Sequence, residues 1–513
     1  MKKLASVSFC FTSGLSLSIL SGLIGVVSLA ISLFSCTVGF AERGPCSILT
    51  GFNISRADEI ALRRKNGLVT DTTSSTVYLP LINYRASLSP FGVQMLGGQY
   101  NPDVIALAQQ AGIRWVRIYL SWANIEPTNT SPTNYNWGGY GAMFANLINA
   151  GMTPIVTIEG NPSWASSRSN GPIYPDKLDD FAEFVGAVVE QFDGDDVYAD
   201  PDHAPPPEVA VKYWEFYNEP DDWPHWGGHG KEYADMLKVA YPAVQNADPG
   251  AKVLLGGLAY DWWSSCYPRC FDLDFLHDVL SNARGPDFPY FDILNFHYYR
   301  RFSRNWNPPN IVGKAIGTGI QEPSIKEILV SHGLSNIPFM CTEIGDPYEP
   351  FPDYSHEEAS QYIIKGFVRG ISLMNRPDYP MQALIWFTMV EYHDGSRKFG
   401  LLDSNLNPNP EYYAYKTLTA ELAGYSYAFK LTGTVGLEGH VFCNQGGMGE
   451  KIVLWATENA VPISFLGSQL RVVDKFGTEL MIDDGGIGDL DGIANGLIKI
   501  EVSQSPVNVK ANP

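Results

Sequence analysis

From Phe91 onward the chain repeats one unit: a short apolar run ending in polar or aromatic residues, then a longer stretch with helical spacing. A chain written this way folds as successive βα units, a parallel sheet buried under its helices. The apolar runs fall at 91–95, 115–119, 154–158, 212–217, 253–257, 292–296, 338–342 and 383–387. Helical spacing stands out at 102–111, 179–191, 233–246, 356–373 and 412–422. Eight units in the 334 residues from 91 to 424 average about 42 residues each, which suits a barrel with long loops. The expectation is an α/β fold, a (β/α)8 TIM barrel. A doubly wound sheet is the rival, but no Gly-x-Gly-x-x-Gly follows the first run to supply its dinucleotide signature.

The rhythm changes after Gly424. Short strand patterns at 425–431, 440–443, 451–456, 470–475 and 497–502 alternate with glycine-rich turns, so 425–513 is expected to be a small antiparallel β-domain of sandwich type. Asp483, Asp484, Asp489 and Asp491 cluster there without the spacing of an EF-hand, and a solvated turn is the simpler reading. Ahead of the barrel, 42–90 reads as linker and lead-in strand. The strand candidate is 77–82, which Pro80 confines to a sheet edge. The first 41 residues have another character. Lys2 and Lys3 precede a run without charge from 4 to 41, which reads as a signal peptide or a membrane or lipid anchor. Gly39-Phe40-Ala41 has the form of a cleavage site, and Leu33-Phe34-Ser35-Cys36 resembles a bacterial lipobox with Cys36 as the lipidated residue. Each reading makes the remainder extracellular or cell-surface anchored, with membrane contact only through this segment.

Charge narrows the partners. A net charge of −20 repels phosphate backbones and anionic lipid surfaces, so no nucleic-acid partner is expected. Aromatic residues reach 13%, which suits a large core or a groove for a flat, uncharged ligand. In an oxidising compartment Cys266 and Cys270 could close a small disulfide loop, since no second cysteine pair completes a zinc set. His225 and His229 flank two glycines, which argues for a loop over a metal-binding helix.

Reactive groups of a βα barrel stand where its strands end. The fourth run ends Trp214-Glu215-Phe216-Tyr217-Asn218-Glu219-Pro220 and the seventh ends Cys341-Thr342-Glu343-Ile344-Gly345. Each puts a carboxylate just beyond an apolar run, where it is costly unless it faces a polar cavity. Paired carboxylates suit acetal cleavage, one protonating the leaving oxygen while the other attacks or stabilises the oxocarbenium-like carbon. The two need different protonation states at one pH, and Arg117, inside the second run, can supply the cation that keeps one ionised. The alternative for Arg117 is a salt bridge in the barrel floor. Glu159, ending the third run, is a third carboxylate, either substrate-positioning or structural. Glu126 and Glu391 lie in loops, as do tryptophans that could form platforms for further sugar units.

The segment Trp-Glu-Phe-Tyr-Asn218-Glu219-Pro220-Asp resembles the strand-four acid/base motif of glycoside hydrolase clan A, and Cys-Thr-Glu343-Ile-Gly resembles its strand-seven nucleophile motif. Trp115-Val-Arg117-Ile-Tyr, Asn161-Pro-Ser-Trp164-Ala, Asn295-Phe-His297-Tyr-Tyr299 and Ile385-Trp386-Phe are similar to other pieces of that clan, in order, across 91–424. The pieces around Glu126 and Trp164 look closest to the β-xylosidase-containing family 39 and the cellulase-like family 5. The resemblance implies an exported retaining β-glycosidase acting on oligo- or polysaccharides, with neither cofactor nor metal. It implies Glu219 as acid/base, Glu343 as nucleophile, Asn218 on the sugar 2-hydroxyl, and His297 and Tyr299 beside the nucleophile. Trp386 would be the floor of the sugar subsite and Trp164 a substrate contact. Tyr298 and Tyr299 exchange roles if the strand register shifts by one. A non-catalytic carbohydrate-binding protein on the cell surface is the alternative.

Overall fold

The computed structural model describes residues 89–261, 270–302, 305–320, 322–349, 354–433, 435–444 and 449–512. The leader with Cys36, the linker with its strand candidate at 77–82, and Cys266 lie outside the described residues. Among the described residues no helix is long and apolar enough to cross a membrane.

Eight parallel strands form the barrel: β1 (Phe91–Gln94), β2 (Trp115–Ser121), β3 (Thr153–Glu159), β4 (Tyr213–Phe216), β5 (Lys252–Leu254), β6 (Leu294–Tyr299), β7 (Phe339–Gly345) and β8 (Met381–Trp386). Their order is β5-β4-β3-β2-β1-β8-β7-β6. Single bridges from Leu254 to Ile293 and from Leu258 to Phe296 bring the two ends of that sheet together. The helices that follow the strands are α1 (Pro102–Gln110), α2 (Tyr140–Asn149), α3 (Leu178–Phe192), α4 (Gly230–Ala247), α5 (Phe275–Asn282), α6 (Ile325–Ser331), α7 (His356–Ile371) and α8 (Pro410–Leu422). Local chemistry sets their starts. The Asn101 side chain caps α1 by accepting from Val104 N at 3.0 Å, with Pro102 in the first turn, and Ser324 with Glu327 forms a capping box on α6.

Alternation along the strands sorts the barrel interior into layers. Trp115, Ile155, Leu254, Ile293, Met340, Ala383 and Ile385 make a compact apolar floor, with Tyr213 packed against it. Two residues further along β2, β3 and β4, the same inward face carries Arg117, Thr157 and Glu215, so a polar layer sits on the apolar one. Side chains of opposite parity, such as Val116, Ile118, Val156 and Trp214, join the large core under the helices. Register shifts where β7 meets β6 and β8 let consecutive residues Thr342 and Glu343 both reach polar partners inside the barrel.

After the barrel, β9 (Tyr425–Lys430), β10 (Leu437–Asn444), β11 (Glu450–Ala456), β12 (Val461–Leu466), β13 (Gln469–Asp474), β14 (Glu479–Asp483), β15 (Leu497–Val502) and β16 (Val507–Asn512) are all paired antiparallel. Six form a sheet in the order β9-β10-β11-β16-β13-β14, and β12 pairs with β15. Period two divides the sheet's faces. Val441, Ile452 and Leu454 pack with Phe465, Ile498 and Ile500 of the β12–β15 pair, whereas Phe442, Val453 and Trp455 join the barrel's core. Arg369 of α7 forms a two-pronged pair with Glu438 of β10, at 3.0 and 2.7 Å, and stands over the Trp455 ring. Three of the four clustered aspartates are turn caps: Asp484 accepts from Gly496 N, Asp489 from Gly485 N and Lys499 N, and Asp491 from Ile493 N. Cys270 and Cys443 each take part in a disulfide. Cys341 is free and buried.

Candidate active site

At the C-terminal end of the barrel lies a cavity of about 320 Å³, bounded by Tyr119, Asn218, Glu219, Asp261, His297, Tyr299, Glu343 and Phe387. A hairpin of Tyr392–Asp394 and Arg397–Phe399 forms another side of it. The two carboxylates proposed from the motifs meet here. An oxygen of Glu219, an oxygen of Glu343 and a ring nitrogen of His297 all lie within 4.8 Å of one another.

Both oxygens of Glu343 have a donor. Arg117 Nη1 donates to Oε1 at 2.8 Å and the Tyr299 hydroxyl donates to Oε2 at 2.6 Å. Arg117 is itself held on four sides: its Nε reaches Glu215 Oε2 at 2.6 Å, its Nη2 reaches Asn218 Oδ1 at 2.8 Å, and Gln94 accepts from Nη1 at 3.0 Å. Both readings of Arg117 therefore hold together, cation for Glu343 and salt bridge in the polar layer. Glu215 is fully buried and takes further bonds from Thr157, Asn295, Thr342 and Gly257 N. A buried cation between two carboxylates is tolerable only with such complete pairing, since removing one partner of a buried pair costs about 3–5 kcal/mol.

Glu219 sits on strained backbone. Its φ is 41° and that of Tyr217 is 65°, in the left-handed region that costs non-glycine residues on the order of 1–3 kcal/mol. Bonds to the exit of β5 hold it there. Glu219 N donates to Gly257 O at 3.0 Å, and the buried Asp221 carboxylate accepts from Ala259 N and Tyr260 N at 3.1 and 2.7 Å. His297 Nδ1 lies 2.9 Å from Glu219 Oε1 and 3.5 Å from Glu343 Oε2. Its ring approaches Gly257 so closely that a Cβ there would run into Nε2.

The environment separates the roles of these groups. Burial, reinforced by the Asp222 charge, pushes the Glu219 carboxyl up to about 7. Burial pulls the His297 ring down to about 4, with Arg117 adding to the effect and Glu343 opposing it, so the imidazole is neutral at pH 7. Burial also opposes the Arg117 charge, but Glu215, Tyr119 and Glu343 outweigh it and hold the guanidinium well above its usual value. Tyr299 is raised by burial and by the Glu343 charge, so it stays a hydroxyl donor. Glu219, His297 and Glu343 are also the one convergent set of metal-type ligands among the described residues. Arg117 and Tyr299 already engage both Glu343 oxygens, so a metal ion there would have to displace or crowd a guanidinium.

The structure brings Glu219, Glu343, Asn218, His297 and Tyr299 to the cavity wall, with Arg117 directly behind. Tyr298 points the other way, toward Tyr362 of α7, which fixes the register in favour of Tyr299. Two expected substrate contacts are elsewhere. Trp386 is buried between β8 and α7, against Tyr362 and Phe367, because its strand position faces the helices, and Phe387 takes the cavity wall. Trp164 is half-buried in the loop after β3, edge-on to Trp122 with its indole N–H toward Glu126 O, and is not among the cavity residues. Glu159 is half-buried beyond the cavity wall, pushed up to about 7 by burial despite the nearby Arg117. Glu126 is buried under Trp122, and Glu391 bonds Tyr348 and His393. His225 and His229 join no convergent ligand set among the described residues.

Sequence reasoning missed Glu215, Asp261, Phe387 and the hairpin. Only Glu215 carried a signal, a carboxylate in the middle of the run Tyr-Trp-Glu-Phe.

A (β/α)8 barrel with carboxylates converging from its fourth and seventh strands is the class that fold and cavity define. No family model and no curated protein matches the sequence. Solved structures do match in fold. A family 39 glycoside hydrolase from Bacteroides cellulosilyticus WH2 aligns over 82% of this chain and 81% of its own, with TM-score 0.61 and 18% identity. A glucosidase from Croceicoccus marinus aligns over 82% and 94%, with TM-score 0.54 and 14% identity. A monomeric β-xylosidase from Caulobacter crescentus CB15 aligns over 83% and 96%, with TM-score 0.52 and 15% identity. What the chain shares with them at such identities is the fold, the same one implied by the motif resemblance to clan A.

Proposed function

We propose that this chain is a retaining β-glycosidase that hydrolyses O-glycosidic bonds of oligo- or polysaccharides. The observation that carries the reading is the approach of Glu219 and Glu343 across one cavity, with oxygens within 4.8 Å. Retaining enzymes hold their carboxyl groups about 5–5.5 Å apart, whereas inverting enzymes keep about 6.5–9.5 Å for an intervening water. The glycosidase names of the fold neighbours accord with it.

In the first step Glu343 attacks the anomeric carbon while Glu219, protonated near neutral pH, gives its proton to the departing oxygen. The C–O bond breaks, the aglycone leaves as an alcohol and a glycosyl ester forms on Glu343. In the second step Glu219, now a carboxylate, takes a proton from water, whose oxygen displaces Glu343 from the anomeric carbon. Asn218, its Oδ1 engaged by Arg117, presents its amide N–H groups to the sugar 2-hydroxyl. His297, neutral, braces Glu219. Export follows in this reading from the charged start and uncharged run of residues 1–41.

A 2-deoxy-2-fluoro aryl β-glycoside tests the proposal. The expected result is a stoichiometric label on the peptide that contains Glu343, found by mass spectrometry. An active enzyme that is never labelled, with full turnover retained by Glu343→Gln, overturns it.

A further inference from the structure

Past Trp386 the chain leaves β8, forms the hairpin of Tyr392–Asp394 and Arg397–Phe399, and runs on to α8. A two-residue turn, Gly395-Ser396 with Gly395 at φ 60°, keeps this hairpin short. Aromatic packing fixes its base: the buried Phe399 ring lies 5.9 Å from Tyr299 and 5.3 Å from Phe387, edge-on to both. Its second strand is tied to the exit of β7, where Tyr348 N donates to Lys398 O at 3.0 Å and Lys398 Nζ pairs with Glu349 at 2.7 Å. Its tip reaches the exit of β6. Arg397 pairs with Asp394 and holds its guanidinium 5.0 Å from the centre of the Phe302 ring. The exits of β6, β7 and β8 are therefore joined into one rim, and Tyr392, Asp394, Arg397 and Phe302 all line the cavity.

That rim lies opposite the acid. In the ring of strands β8 stands across from β4, which delivers Glu219. Glu219 protonates the departing oxygen, so the leaving group lies on its side of the cavity and the sugar being cleaved extends away from it, toward the hairpin. Resting on the glycosidase reading above, we propose that the hairpin is the end wall of the sugar site and that the protein is exo-acting: it takes the terminal, non-reducing sugar of a β-linked chain, and the remainder of the chain is the leaving group. Arg397, which spans from the hairpin to the exit of β6, holds that wall shut. A chain that continued past the cleaved sugar would run into Asp394, Arg397 and Phe302, whereas internal cleavage needs a groove open at both ends. The size of the site agrees, since about 320 Å³ is at the small end of ligand pockets, which span about 300–1,000 Å³.

The experiment follows the first products from reducing-end-labelled, β-linked tetrasaccharides of xylose, glucose, mannose and galactose, after aryl β-glycosides have shown which sugar is accepted. Each chain is also supplied with a bulky ether capping its non-reducing sugar. Wild type is expected to release a monosaccharide and a labelled chain one sugar shorter, and to cleave the capped chain about 100-fold more slowly or not at all. Arg397→Ala is expected to raise turnover of the capped chain relative to the uncapped one by about tenfold, a ratio that general destabilisation does not move. Should that variant not fold, the wild-type comparison decides alone. Labelled fragments from internal cleavage, capped chains cleaved as fast as uncapped ones, or aryl glycosides turned over with every chain left intact overturn the proposal, and an unchanged ratio in Arg397→Ala removes Arg397 from it. Wild type inactive on every aryl β-glycoside would instead remove the glycosidase reading, and this assignment with it.

Discussion

Glu219 has the sharpest predicted signature of any single residue. Its carboxyl is pushed up to about 7, so the proton it must deliver is present below that pH and lost above it. The expected kcat/KM profile falls on the alkaline side with an apparent pKa near 7, and Glu219→Gln abolishes that limb. The same variant should lose about 10²- to 10⁴-fold on substrates with poor leaving groups and far less on activated aryl glycosides. A profile that keeps its alkaline limb in Glu219→Gln counts against the acid role. Glu219 and Glu343 were legible in the sequence because a carboxylate at the end of an apolar run has few tolerable environments. Glu215 was equally visible, but a charge inside a strand says nothing about which partner neutralises it until Arg117 is seen beside it.

At the level of elements, all eight barrel strands fall where apolar runs end in polar residues, although β7 runs on to Gly345 and β2 to Ser121. Trp386 shows where that reading stops. β8 is buried on both faces, so its composition cannot tell inward from outward, and Trp386, expected at the sugar, packs against α7 while Phe387 lines the cavity. The two residues should now separate in experiment. Phe387→Ala is expected to cut kcat/KM about tenfold with little change in melting temperature. Trp386→Ala should cost about 3–5 kcal/mol of stability and leave kcat/KM of the folded fraction close to wild type. The reverse pattern would return Trp386 to the sugar. Strands β12, β14 and β16 went unread for a related reason: β14 buries one residue in five, and β12 and β16 show no clean alternation.

Across the whole molecule, the C-terminal sheet is fastened to the barrel by an apolar face and by ion pairs of Glu438 with Arg369, of Glu421 with Lys451 and Arg471, and of Glu357 with Lys475. Arg369, His440 and Lys430 hold the Glu438 carboxyl well below its usual range despite burial. A lowered folded value means that this contribution is complete above the unfolded value of about 4.3 and fades as the pH falls below it. Arg369→Met should therefore lower stability by about 3 kcal/mol at pH 7, a loss that shrinks only as the pH is taken below about 4 toward the lowered folded value, measured by denaturant unfolding. A loss that does not change with pH would assign the residue to packing over Trp455 instead. The arrangement of Arg117 between Glu215 and Glu343 carries a further consequence for the proposed two-step reaction. When Glu343 becomes an ester its negative charge vanishes, yet the guanidinium keeps Glu215 as a permanent counter-ion. The barrel interior is thus never left with a solitary positive charge midway through turnover, and neither half of the cycle calls for an ion to enter or leave.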